Sequence, residues 1–311
     1  MLDPTVLLAA VLLDFAIGDP RKLPHLARWT GRLIQFLEPL FRHLPGKGLL
    51  AGSAFALAVV SIALGVGALV LSVSASVSAP LNWILQTLLL YQCIAARDLI
   101  QHVERVRLPL LQGQLSQARQ QLAWIVGRDT KQLDESEIAR ATVETTAESF
   151  HDGFVGPVFW AVLLGPLGAL LFRVVNTLDS MVGHRDKRYL YFGRFSARFD
   201  DALGFLPARI SAFLLAPKVF LRAFPQLRKQ AGRHASPNAG WPEAAIAMEC
   251  ELRLGGGNFY DGQWLDGPVF NAEGSPPDVH SIGQVNRQFW WGWLRTILLA
   301  LLVAYALNPH F

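Results

Sequence analysis

Ser136 to Gly153 reads S-E-I-A-R-A-T-V-E-T-T-A-E-S-F-H-D-G, so that Arg140, Glu144, Glu148 and Asp152 recur every fourth residue. On a helix of about 3.6 residues per turn such positions share one face and drift slowly round it. Asp134 or Ser136 suits the N-cap and Gly153 the C-terminal stop. Two chemistries fit this row. One is a solvated face in which Arg140 and Glu144 pair, worth roughly a few tenths of a kcal/mol. The other is a carboxylate face for Mg²⁺, which takes one or two carboxylates and completes its shell with water and substrate phosphates. Glu144, Glu148 and Asp152 repel one another at this spacing. The row also runs directly into an apolar Gly-Pro segment, an uncomfortable setting for a purely solvated face.

A second stretch, V-V-N-T-L-D-S-M-V-G-H-R-D-K-R-Y (Val174 to Tyr189), follows an apolar run. Asn176 and Asp179 lie three apart, which puts them on one helical face. Arg185, Lys187, Arg194, Arg198, Asp200, Asp201 and Arg209 come after them. Acids hold cations, and arginine matches phosphate oxygens two at a time. A basic loop at a membrane surface accounts for the Lys and Arg equally well. It accounts poorly for N-T-L-D-S-M, because acids beside a membrane are costly and usually functional. Smaller polar islands repeat the theme. They are Asp14 and Asp19 in D-F-A-I-G-D-P-R-K-L-P-H, Arg128 in W-I-V-G-R-D-T, the loop H-A-S-P-N-A-G-W-P-E, and Gly255 to Asn258, whose glycines allow backbone to approach a phosphate. No P-loop, dinucleotide fingerprint, zincin or nucleophile-elbow pattern occurs.

These islands sit in an apolar frame. The 311 residues are 52% hydrophobic and only 17% charged, against about 25% charged for a soluble domain. The composition predicts an all-α integral membrane protein, a single polytopic domain with about four spans. The spans fall at 2–17, 49–72, 79–96 and 290–307, the last with an aromatic belt at Trp290, Trp291 and Trp293. The N-terminus lacks a basic region and a cleavage site, so it reads as retained. Lys and Arg mark the cytoplasmic side, which places 18–48, 97–152 and 173–289 inside. Gly153 to Phe172 would break this pattern if it crossed. Its breaks at Gly156-Pro157 and Gly165-Pro166 predict a broken or re-entrant helix that returns to the same side. Phe205 to Phe224, dotted with Arg209, Lys218 and Arg222, reads as an interfacial amphipathic helix. Pro225 to Gln288 reads as a loop-rich cytoplasmic segment. The net charge of +4 is spread over loops, with no basic stripe or zinc spacing, so nucleic acid is not an expected partner. Cys93 and Cys250 form no framework and read as reduced structural residues.

Taken in order, D-F-A-I-G-D-P-R-K-L-P-H-L-A-R-W-T-G-R-L-I, W-I-V-G-R-D-T, V-E-T-T-A-E-S-F-H-D-G, V-N-T-L-D-S-M-V-G-H, F-S-A-R-F-D-D-A-L-G-F-L-P-A-R-I and S-P-N-A-G-W-P-E-A resemble the CobD/CbiB family, the adenosylcobinamide-phosphate synthases of cobalamin biosynthesis. The resemblance runs from Asp14 to about Asn258. The chain departs from the family pattern at Ser149 and after the S-P-N loop, where I-A-M-E-C-E-L-R-L stands. The resemblance implies a multi-pass enzyme of the bacterial inner membrane with its site facing the cytoplasm. It implies an ATP-dependent carbon–nitrogen ligase that joins aminopropanol phosphate, or aminopropanol, to a cobyric acid side-chain carboxylate through an acyl phosphate. ATP and Mg²⁺ are the implied cofactors. Adenosylcobyric acid, aminopropanol phosphate, membrane lipid and other membrane enzymes of late cobalamin assembly are the implied partners. Under it, Glu144, Glu148 and Asp152, with Asp179, hold Mg–nucleotide, the metal set being Glu144, Glu148 and Asp179. Arg128, Arg185, Lys187 and Arg198 grip phosphates, and Asn176 and Asp201 orient substrate. The alternative is a non-catalytic membrane sensor of the AmpE type; a transporter fits less well, for want of repeats and mid-span polar residues.

Overall fold

The structure, a computed structural model, describes residues 2–19, 25–43, 48–184 and 186–307. Arg21, Lys22 and Lys47 of the expected cytoplasmic loop, and Arg185 of the expected phosphate grip, lie outside the described residues. The chain is predominantly helical. In order it forms α1 (Pro4–Ile17), α2 (Leu26–Arg42), α3 (Gly48–Val77), α4 (Ala79–Cys93), α5 (Ala96–Leu111), α6 (Leu115–Leu122) and α7 (Glu135–Phe150). A π-helical turn, His151–Val155, leads into α8 (Gly156–Leu164) and α9 (Pro166–Val182). Then follow α10 (Arg194–Leu215), α11 (Pro217–Arg222), α12 (Phe224–Ala231) and α13 (Gly240–Glu249). Four short strands come next, β1 (Leu254–Gly255), β2 (Asn258–Tyr260), β3 (Gln263–Leu265) and β4 (Val269–Phe270), before α14 (Val279–Leu307).

The chain divides into two compact units, each made of separate stretches of sequence. Unit 1 comprises Met1–Ala95, Gly156–Gly204 and Leu298–Phe311; unit 2 comprises Ala96–Val155 and Phe205–Ile297.

In unit 1 the helix ends carry the expected local chemistry. The Asp3 side chain caps α1, with Pro4 at the first turn and Gly18 closing the end at φ 67°. Ser78 caps α4, again ahead of a proline. Among the described residues two helices are long and apolar enough to cross a membrane, Gly48–Val77 and Val279–Leu307, with only 22% and 28% of their apolar windows buried. They contain the expected spans at 49–72 and 290–307. The expected spans at 2–17 and 79–96 form the shorter helices α1 and α4, of 14 and 15 residues.

The run from Gly153 to Phe172 is broken. Gly165, at φ 71°, ends α8, and Pro166 starts α9. Nine residues of α8 reach about 13 Å, well short of the roughly 30 Å hydrocarbon core. The two helices fold back on each other through Gly168. A Cβ there would sit 2.1 Å from the Trp160 carbonyl oxygen, so the bare backbone is what lets them close.

Unit 2 adds four short strands to an otherwise all-helical architecture. Between α13 and α14 the chain makes two antiparallel strand pairs, β1 with β4 and β2 with β3. Glycine weakens helix and permits left-handed backbone; Gly255, Gly256 and Gly262 all have positive φ. That break, with the aromatic residues flanking Gly262, turns Asn258–Leu265 into a hairpin. The segment expected to be loop-rich also contains α12 and α13. The core of unit 2 is aromatic and aliphatic, with Phe150, Phe154 and Phe289 fully buried and in ring contact.

Candidate active site

The expected helix over Ser136 to Gly153 is α7, opened by a reciprocal capping box. Asp134 Oδ1 accepts from Glu137 N at 2.8 Å, and Glu137 Oε2 accepts from Asp134 N at 2.9 Å. Fixing this start fixes where the carboxylate row points. Its apolar positions, Ile138, Ala139, Val143, Ala147 and Phe150, are buried.

Glu144 is 4% exposed and is the centre of the site. Its carboxylate accepts from Arg128 Nη2 at 2.7 Å, from the Gly255 backbone N–H at 2.7 Å, and from Arg140 Nη1 at 3.4 Å. Arg140 also donates to the Gly255 carbonyl at 2.6 Å, so the Gly255 backbone is held by an anion at its N–H and a cation at its carbonyl. Asn258 Oδ1 then joins the two arginines, accepting from Arg128 Nη1 at 3.0 Å and Arg140 Nη2 at 2.8 Å. The pairing of Arg140 with Glu144, the bland reading of the row, is present as part of this larger network.

The glycine loop is shaped for it. Gly255 has φ 78°, and a Cβ there would lie 2.0 Å from the Pro268 oxygen. Gly257 leaves room for the Trp264 ring, which a Cβ would meet at 2.1 Å. The Gly-Arg-Asp turn holds the hairpin from the other side. Asp129 N donates to the Phe259 carbonyl at 2.8 Å, and Asp129 Oδ2 accepts from Gly262 N at 2.8 Å. Two cavities adjoin this network. One, of 840 Å³, is lined by Arg128, Lys131, Glu137 and Phe259 among others. The other, of 380 Å³, is lined by Asp134, Glu137, Arg140, Arg253 and Gly255 to Gly257, with Ser136, Val269, Pro276 and Pro277.

Beyond Glu144 the carboxylates crowd. Glu148 is open to solvent at its surface, yet protein surrounds it closely enough that burial, then Asp152, drive its carboxyl up to about 7. The π turn contributes here. Four residues of α-helix overshoot a full circle by about 40°. The wider winding of His151–Val155 reduces that overshoot and keeps Asp152 near Glu148. Asp152 Oδ1 lies 2.6 Å from His151 Nδ1. Glu243, 7% exposed in the first turn of α13, is pushed well above the ordinary carboxyl range by burial, then by Glu144 and Glu148. His234 is held down by burial, against the opposing effect of Glu144.

Among the expected site residues, Arg128, Glu144, Glu148 and Asp152 thus belong to unit 2. Asn176, Asp179, Asp201, Lys187 and Arg198 belong to unit 1. There Asn176 Nδ2 donates to Asp200 Oδ1 at 3.5 Å. Gly183 makes room for Asp179, whose Oδ1 would sit 1.9 Å from a Cβ at that position. Lys187 and Arg198 are exposed. Both Glu144 oxygens are engaged by Arg128, Arg140 and Gly255, which makes Glu144 an organiser of the loop. Among the described residues, no group of three or more His, Cys, Asp or Glu side chains is arranged to hold a metal ion. Arg140, Asn258, Glu243 and Arg253 were given no site role from sequence. The signal for Asn258 was its place after three glycines, and for Glu243 the S-P-N-A-G-W-P-E loop. Arg253 carried none.

A family model described as CobD/Cbib protein matches residues 7–289. A cobalamin biosynthesis protein CobD of Klebsiella pneumoniae is 38% identical over 290 residues, covering 90% of this chain and 91% of that protein. A cobalamin biosynthesis protein CbiB of Salmonella typhi is 38% identical over 304 residues, covering 95% of each. A CobD of Pelobacter propionicus is 42% identical over 284 residues, covering 88% of each. No solved structure matches at a significant level.

Proposed function

Because the chain belongs to the CobD/CbiB family of cobalamin biosynthesis proteins, we propose that it is an ATP-dependent amide ligase of that biosynthesis. It joins aminopropanol phosphate, or aminopropanol, to a side-chain carboxylate of adenosylcobyric acid. The carboxylate oxygen attacks the γ-phosphorus of ATP, ADP departs, and an acyl phosphate results. The amine nitrogen attacks the acyl carbon and inorganic phosphate leaves. The nitrogen loses its proton to a base or to water, and the amide remains. Such chemistry rests on positioning and on cations at the transferring phosphoryl group.

The observation that carries this reading is the bridge Arg128–Asn258–Arg140 over Glu144. The three bonded ionic groups, two cations and one anion, leave one net positive charge beside bare glycine backbone and two cavities. Arginine held rigid in this way keeps its donor fork aimed without reorganising. Arg128 serves the 840 Å³ cavity and Arg140 the 380 Å³ cavity. Glu148 and Asp152 suit a divalent cation, since each raises the other's electrostatic cost and a cation relieves it. Magnesium held there would neutralise charge on the polyphosphate. In unit 1 the reading assigns phosphate contact to Lys187 and Arg198, cation contact to Asp179, and orientation of substrate to Asn176 and Asp201. The two long apolar helices support an inner-membrane location, with the charged segments facing the cytoplasm.

Complementation tests the reading. The chain is expressed in a bacterium lacking its own cobinamide-phosphate synthase and fed cobyric acid. Cobalamin-dependent growth is expected. No growth, with the protein detected in the membrane fraction, overturns the ligase assignment and favours a diverged, non-catalytic relative.

A further inference from the structure

The 380 Å³ cavity carries charges of both signs, and among the described residues no ion pair joins its acids, Asp134 and Glu137, to its arginines. Its positive side is the glycine loop. Arg140 is tied there by its bonds to the Gly255 carbonyl and to Asn258. Arg253 lines the same cavity, is exposed, and among the described residues its guanidinium has no ion-pair or hydrogen-bond partner. Between them runs backbone without side chains. Gly256 stands at φ 92° with open space where a Cβ would be. Two arginines and bare peptide are the groups that bind a phosphate. The negative side is the first turn of α7, where the capping box holds Asp134 and Glu137 in place. Each retains an oxygen beyond the one used in capping. Carboxylates so placed would repel a plain anion and receive an ammonium group. The volume lies at the small end of the roughly 300–1,000 Å³ range of ligand pockets.

We infer that this cavity is the seat of the amine substrate in its phosphorylated, zwitterionic form, with Arg253 and Arg140 on the phosphate and Glu137 facing the ammonium. This rests on the ligase reading above. Glu137 lines both this cavity and the 840 Å³ one. The nitrogen that must attack is therefore held at the wall the two cavities share, and the phosphate is held away from it. Arg253 is a specificity residue on this account: it distinguishes a phosphorylated amine from the free amino alcohol.

Two variants separate the ends. Arg253→Ala removes a phosphate contact without touching the Arg128–Asn258–Arg140 bridge. Glu137→Gln keeps the cap, since glutamine serves as well in that position, and removes only the charge. Purified full-length protein is titrated calorimetrically with inorganic phosphate and with aminopropanol phosphate, and ligation is followed by mass spectrometry. Arg253→Ala is expected to weaken both ligands by about tenfold or more and to raise KM for aminopropanol phosphate while leaving KM for aminopropanol unchanged. Arg253→Lys should recover part of this. Glu137→Gln should weaken aminopropanol phosphate but not inorganic phosphate. Unchanged phosphate binding in Arg253→Ala, or unchanged aminopropanol phosphate binding in Glu137→Gln, overturns the assignment. Wild-type protein that binds both ligands but makes no amide leaves the cavity assignment standing and overturns the ligase reading instead.

Discussion

Replacing Glu144 by Ala gives the sharpest test of how the site is held. The side chains of Glu144, Arg128 and Arg140 are 6%, 12% and 13% exposed. At that burial the change leaves two guanidinium groups facing each other and the Gly255 N–H without its acceptor. Removing one partner of a buried ion pair costs about 3–5 kcal/mol, whereas an exposed pair is worth about 1 kcal/mol at most. Unit 2 has about 150 residues, a size at which melting temperature moves by about 2–4 °C per kcal/mol. Glu144→Ala should therefore lower the first thermal transition by at least about 6 °C. The transition can be followed by tryptophan fluorescence in detergent, where Trp264, packed on Gly257, reports on the hairpin directly. Adding Arg128→Gln should return part of the loss, because it removes a charge stranded by the first change; a coupling of about 0.5–3 kcal/mol is expected. A melting point within about 2 °C of wild type, with strictly additive behaviour of the two changes, would refute the claim that Glu144 organises the loop.

Arg140→Lys keeps the charge but cannot reach Gly255, Asn258 and Glu144 together, so ligation should fall by about a hundredfold or more in kcat/KM, read in the amide-forming assay. Gly255→Ala must place a Cβ against the Pro268 oxygen at a left-handed φ and should abolish ligation while the protein still inserts, as fractionation would show. Glu243, an acid raised above its ordinary 4.5, binds more protons folded than unfolded as pH climbs from that value. Its contribution to stability is thus greatest in acid and declines with rising pH. Glu243→Gln should flatten the fall of melting temperature between pH 5 and pH 8, and an unchanged slope would show that the carboxyl is not buried as described. Gly168→Ala should open the α8–α9 hairpin and lower the melting temperature of unit 1 in the same scan.

The face of α7 could be read from its spacing, because four-residue recurrence is a local property and Asp134 and Glu137 announce the helix start. The break at Gly165-Pro166 was legible for the same reason. What joined those carboxylates to the rest was not. Gly255 meets Glu144, and Asn258 meets Arg140, across more than a hundred residues, and nothing in a glycine triplet says which acid it will approach. The two strand pairs escaped notice because two- and three-residue strands carry no periodicity. Arg253 looked like any loop arginine, since its interest lies in a guanidinium without an ion-pair partner among the described residues, which a sequence does not display. Glu144 was singled out by residue type and spacing, but its engagement by arginine and backbone at both oxygens is a long-range property that spacing does not display.

The discontinuity of the two units bears on how the protein is made. Unit 1 opens with residues 2–95, resumes at Gly156 and takes its last helical piece from Leu298 onward; unit 2 is interrupted by residues 156–204. Chains commonly fold unit by unit as they leave the ribosome, the N-terminal part first. That order is closed to this one. The first helices must wait while some two hundred further residues are synthesised before their unit is whole, and Glu144 waits over a hundred for Gly255. Truncation after residue 155 or 204 would leave both units incomplete, and truncation after 297 would still leave unit 1 without its last helical piece, so no shortened chain carries a whole unit 1.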